Sequence, residues 1–146
     1  MPDLFVYGTL MVPEILNAVC GYRRCGEPAL LHGYRRRRVI GTDYPAIRPW
    51  AGETVEGLLY TGLSDDQTDM LDAFEGSMYQ RREVEISVAA GKQDAQTYVL
   101  AARYTSFLSN QHWSLKQFLS DHVQEFIRRY PGFLAIDNEQ VDDGPQ

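Results

Sequence analysis

The first apolar stretch, Leu4-Phe5-Val6-Tyr7, is continuous rather than alternating, which suits a short interior strand covered on both faces. It stops abruptly at Gly8. Pro13 fits the first position of a helix, Glu14 meets the positive end of its dipole, and Ile15, Leu16 and Val19 form an apolar stripe that Gly21 closes. Leucine, aromatic and β-branched residues bounded by glycine and proline mark strands over residues 27–40 and 55–60. Between them, residues 42–50 (TDYPAIRPW) read as an irregular segment able to line a pocket. Pro45 and Pro49 lack ladder donors there and push the residues before them to extended geometry.

The period then changes. Ser64-Asp65-Asp66-Gln67 has the form of a capping box, with apolar Met70, Leu71 and Phe74 behind it and a stop at Gly76, so a helix is expected. Val84, Ile86 and Val88 alternate with Glu83, Glu85 and Ser87 as in a half-buried strand. Residues 90–95 (AGKQDA) turn it into a second strand over residues 96–104 (QTYVLAARY), an antiparallel hairpin. A second capping box, Ser114 to Gln117, opens a helix with Leu115, Phe118, Leu119, Val123, Phe126, Ile127 and Tyr130 on one side, closed by Pro131-Gly132. No repeat or linker interrupts the chain. The expectation is one α+β domain over residues 1–136, built on a small mixed, mainly antiparallel, barrel-like sheet with surrounding helices, and an acidic polar tail over 137–146.

Composition narrows the function classes. A chain of 146 residues that is 44% hydrophobic can bury a real core. A formal net charge of -6 argues against a nucleic-acid partner, and Arg35-Arg36-Arg37-Arg38 reads as a strand whose arginines alternate between faces. Cys20 and Cys25 have neither zinc nor redox spacing and read as small buried hydrophobes. His32, His112 and His122 are scattered, so no metal is expected. Without an 18-residue apolar run or a signal-peptide pattern, no membrane association is expected and a cytoplasmic location follows.

Two places carry candidate chemistry. Where the first strand passes through Tyr7 and Gly8 into Thr9 and Leu10, successive backbone N–H groups lose their partners, and such a concave run binds anions or oxyanions. Taken alone, a junction of this kind more often means only a tight turn. Glu75 is the second place. Lying four residues after Leu71, it continues the inward face of its helix, whereas Asp72 is expected to point elsewhere. Burial and the negative helix end both disfavour a charged carboxylate, leaving a proton acceptor poised near neutrality. The competing role is a structural ion pair with Arg81, Arg82 or an arginine of the 35–38 run. Tyr44, Tyr79 and Tyr98 read first as core aromatics, each able to offer a hydroxyl to a pocket. No Gly-x-Ser-x-Gly elbow occurs.

FVYGTL, YPAIRP, and LDAFEG followed by YQRREV resemble the γ-glutamylcyclotransferase-like family in order and separation, and EGLLY and QTYVL fall at its strand positions. In general look the chain is similar to the plant and bacterial branch, related to avirulence-induced proteins. The resemblance implies a small barrel-like fold with a pocket at the end of the first strand. It also implies conversion of a small-molecule γ-glutamyl substrate to 5-oxoproline and a released amine or amino acid, without a cofactor. On the matching positions, Tyr7, Gly8, Thr9 and Leu10 would bind the γ-glutamyl group and Glu75 would act as general base and acid, with Tyr98 joining the substrate-binding set. The alternative is a non-catalytic small-ligand or protein-binding module that retains the pocket.

Overall fold

A computed structural model describes residues 3–121. Strand β1 (Leu4–Val6) is buried along its whole length because its two faces serve different cores. Phe5, and Tyr7 just beyond the strand, point into the barrel with Leu31, Ile47, Leu59 and Val99. Leu4 and Val6 face outward, onto residues of helices α1 (Pro13–Cys20) and α2 (Asp65–Glu75), including Ile15, Leu16 and Leu71. Two-sided burial is the physical reason for the unbroken apolar run.

The other strands are β2 (Glu27–Arg38), β3 (Pro45–Tyr60), β4 (Tyr79–Val88) and β5 (Gly91–Leu100). They close a barrel in the order β1-β3-β2-β4-β5. β1 runs antiparallel to β3, with Phe5 opposite Leu59, and parallel to β5, with Leu4 opposite Gln96. Gly57 lets β1 come close to β3: a Cβ there would collide with the Val6 carbonyl and the Phe5 ring. The arginines of β2 alternate as their spacing implies. Arg35 and Arg37 pair with Glu53, while Arg36 reaches the carbonyls of Tyr7 and Glu56.

The capping box at Ser64 is complete, the Gln67 N–H donating to Ser64 Oγ at 3.1 Å and the Ser64 N–H to Gln67 Oε1 at 3.0 Å. It fixes the start of α2, and the eleven helical residues after it carry the chain to Glu75. Helix α3 (Leu115–Asp121) begins where Ser114 Oγ accepts the Gln117 N–H. The stripe from Val123 onward, His122, the Pro131-Gly132 stop, the boundary at 136 and the acidic tail lie outside the described residues.

Several sequence expectations need correction. Residues 45–50 are not irregular: they are the first part of β3, with Pro49 opposite Tyr34. Proline is tolerated because Pro45 is the first strand residue and Pro49 borders a register shift between His32 and Tyr34, where β3 bulges outward. The β4–β5 turn is Ala89-Ala90, and Gly91 to Asp94 already belong to β5. That strand ends at Leu100, and Ala102–Phe107 form a 3-10 helix. Cys25 is exposed, in contrast to Cys20, and Met70 is 48% exposed rather than on the inner face of α2. Among the described residues no helix is long and apolar enough to cross a membrane.

Candidate active site

β1 ends one residue before Tyr7, and Thr9–Met11 form a 3-10 turn with Gly8 at its N-cap. The Met11 and Val12 N–H groups bond back to the carbonyls of Gly8 and Thr9 at 2.9 and 3.1 Å. No side chain caps this start, so the N–H groups of Thr9 and Leu10, ahead of those bonds, have no partner within the turn. Gly8 is required by its neighbour. A Cβ on it would stand 2.8 Å from Pro45 Cγ and 2.9 Å from Pro45 Cδ, in a ring that cannot swing aside. Tyr79 Oη donates to the Pro45 carbonyl at 2.9 Å and ties the start of β3 to that of β4. Arg36 Nη1 donates to the Tyr7 carbonyl at 2.7 Å and holds the strand exit from behind.

Across from this turn, α2 ends on Glu75. Gly76 follows with φ 80° and ψ -171°, a conformation that only glycine adopts at low cost, and its N–H caps the Asp72 carbonyl. The turn sends the chain through Ser77 and Met78 into β4 and leaves Glu75 facing a cavity of about 180 Å³. Phe5 to Leu10 form one wall, Phe74 to Tyr79 without Gly76 another, and Tyr44, Pro45 and Tyr98 the remainder. Every residue singled out from sequence as a catalytic or substrate-binding candidate therefore lines one hollow.

The electrostatics of the last two carboxylates of α2, Asp72 and Glu75, are opposed. Burial first, and the nearby Asp72 charge second, push the Glu75 carboxyl up to about 8. The ion pairs among the described residues join Arg35 and Arg37 to Glu53 and Arg81 to Asp72; none involves Glu75. Burial also pushes Asp72 up, but hydrogen bonds from Arg81 and Tyr98, together with the Arg81 charge, outweigh it and hold Asp72 below the usual carboxylate range. Tyr98 Oη donates to Asp72 Oδ1 at 2.6 Å, and Tyr7 Oη donates to the Tyr98 carbonyl at 2.5 Å. Burial and the adjoining carboxylates keep both phenols far above their ordinary range.

Asp72 points away from the inward face, as its place one residue past Leu71 implies: it does not line the cavity and is paired with Arg81. What the sequence did not reveal is its bond to Tyr98, 26 residues away, and its reach, three residues before Glu75, to that carboxyl. Arg36 was legible only as one arginine of an alternating strand; its contact with Tyr7 spans 29 residues of sequence.

Residues 4–115 match the family described as gamma-glutamyl cyclotransferase, AIG2-like. The chain belongs to this family. Protein AIG2 B of Arabidopsis thaliana is 32% identical over 134 residues, covering 90% of this chain and 79% of the relative. A solution structure of an Arabidopsis thaliana protein, At5g39720.1, superposes with a TM-score of 0.67 at 26% identity, covering 99% of this chain and 95% of that one. A crystal structure of an AIG2-like protein from Mus musculus, at 20% identity and a TM-score of 0.63, shares the fold over 86% of this chain and 92% of its own. For this family member, the match ends at the start of α3, so all the cavity residues fall within it.

Proposed function

We propose that the protein is a γ-glutamyl cyclotransferase that releases 5-oxoproline and an amine or amino acid from a γ-glutamyl amine or small γ-glutamyl peptide. The observation that carries this reading is convergence: an uncapped run of backbone donors and an unpaired carboxyl of raised pKa meet in one cavity of about 180 Å³. The Tyr7–Leu10 backbone orients the glutamyl moiety so that its own α-amino nitrogen lies against its δ-carbonyl carbon, which makes ring closure a matter of position. Glu75 takes a proton from that amine as the nitrogen attacks. The carbonyl oxygen gains negative charge beside the backbone donors, and the bond to the departing nitrogen breaks as Glu75 returns a proton to it. An α-amino group titrates near pH 7.7–8.0, so a base at about 8 is matched to it.

Purified protein incubated with a panel of γ-glutamyl amides is expected to release 5-oxoproline, and Glu75→Gln is expected to slow that release by orders of magnitude. A fully active Glu75→Gln enzyme refutes the assigned role. Ligand-dependent stabilisation without consumption of any panel member would instead identify a binding module.

A further inference from the structure

Asp72 is an ionised acceptor to which the Tyr98 hydroxyl commits its proton. Its carboxylate is gripped by the fork of Arg81, Nε to Oδ1 at 2.9 Å and Nη2 to Oδ2 at 3.1 Å, and Gln96 Oε1 accepts a further bond from the same guanidinium. Against that ionised acceptor Tyr98 Oη donates at 2.6 Å, a charge-assisted bond stronger than any its hydroxyl would make to a neutral group. A phenol has a single proton, so the Tyr98 oxygen has only lone pairs left for the cavity it lines. Glu75 lines the same cavity, and its charge is felt by Tyr98.

We infer that Asp72 is a positioning residue that makes the cavity selective for a free amine: it holds the Tyr98 proton, so that Tyr98 Oη and the Glu75 carboxylate face the cavity as paired acceptors. This rests on the cyclotransferase reading only for which amine is bound, the α-amino group of the glutamyl moiety. An amine satisfies both oxygens at once with its several N–H bonds. A hydroxyl, with one proton, leaves one acceptor unmet, and an unmet buried acceptor costs binding. The ionisable groups around Glu75 are Asp72 on its own helix and the cavity-lining Tyr7 at the β1 exit, Tyr44 before β3, Tyr79 of β4 and Tyr98 of β5; Arg81 is paired with Asp72.

The test uses L-glutamate and 2-hydroxyglutarate of the same configuration, which differ only in amine against hydroxyl and are not substrates for amide cleavage. Wild type is expected to bind the amine more tightly by about tenfold or more, and Asp72→Asn, which keeps the size but drops the charge, to lose most of that preference. In parallel, carbon NMR of the Glu75 carboxyl is expected to show its titration midpoint moving to lower pH in Asp72→Asn. Should that variant not fold, Tyr98→Phe reads the same acceptor and is expected to lose the same preference. Equal binding of the two ligands by wild type, no binding of either, or an Asp72→Asn protein unchanged in preference and midpoint overturns the inference. Release of 5-oxoproline is read separately. Turnover by an Asp72→Asn enzyme with unchanged KM and pH profile refutes the role of Asp72 alone, whereas intact amine preference without turnover in wild type refutes the cyclotransferase reading alone.

Discussion

Glu75 and Glu53 are the same residue type in two regions that treat a carboxylate in opposite ways. Glu53 stands on the outward bulge of β3, where Arg35 binds it at 2.6 Å and Arg37 reaches it at 3.5 Å, and the hydrogen bond from Arg35 holds its carboxyl below the usual range. Glu75 stands at the end of α2 against a cavity, with a second carboxylate one turn away and no ion pair among the described residues. Arg35, Arg36 and Arg37 of β2 are engaged elsewhere. Arg35 also stacks on Trp50 at 3.5 Å from the ring centroid, and Arg36 braces the β1 exit. A carboxylate supplied with cations is an ordinary acid, while one denied them becomes a base near neutrality.

The comparison breaks most sharply at Glu75 itself. Glu75→Gln keeps the shape of the cavity and removes the proton acceptor, so release of 5-oxoproline is expected to fall by about 10²- to 10⁴-fold. The corresponding Glu53→Gln is expected to leave turnover unchanged. Equal losses in the two variants would show that activity depends on folding rather than on the base. Gly8→Ala comes next: the added methyl group meets the Pro45 ring at 2.8 Å, and relieving that overlap costs about 1–3 kcal/mol and displaces a cavity wall. Turnover should fall together with thermal stability, unlike in Glu75→Gln, whose melting temperature should be retained or raised because a poorly hydrated carboxyl is gone.

How much of this was readable from the chain depends on the distance over which each feature is decided. The α2 capping box is local, closing between Ser64 and Gln67, and it fixes where Glu75 falls. The halt at Gly8 was visible too, but its cause was not: Pro45 is 37 residues away, and only the barrel brings it within a methyl group's reach of Gly8. The prolines in residues 42–50 argued against a ladder, yet the bulge that accommodates Pro49 is created by a shift in pairing with β2. Asp72 turns away from the cavity as its step past Leu71 implies, but its bond to Tyr98 joins α2 to β5 across 26 residues and only the fold creates it.

The two glutamates also predict opposite pH dependences of stability. Glu75 has a folded pKa of about 8, above that of the unfolded chain. Between those values the folded state binds the extra proton, so stability falls as pH rises from the unfolded pKa through about 8 and is level beyond it. Glu53 has a depressed folded pKa, so its contribution is present above the unfolded pKa and is lost as pH falls through the folded one. Denaturation midpoints across pH should therefore show a decline on the alkaline side of the carboxylate range that disappears in Glu75→Gln and persists in Glu53→Gln. Catalysis runs the other way. The base must be deprotonated, so kcat/KM should rise as pH approaches about 8, and that rise should be absent from any residual activity of Glu75→Gln.

The smallest effect belongs to the paired glutamate, and it sharpens the contrast by what it fails to do. In Glu53→Gln, Arg35 keeps its stack on Trp50 and loses only a partner at the protein surface. An exposed ion pair competes with water and with side-chain entropy, so a slight drop in melting temperature is expected. Raising the salt to about 1 M, where the screening length is about 3 Å, should erase that drop. Salt should leave the Glu75 titration midpoint much closer to its low-salt value, because burial is the main cause of its shift and the neighbouring Asp72 charge only the second. A Glu75 midpoint that collapsed toward the ordinary carboxylate value in salt would mean that the cavity is wet and the carboxylate is governed by charge, which would remove the physical difference between the two regions.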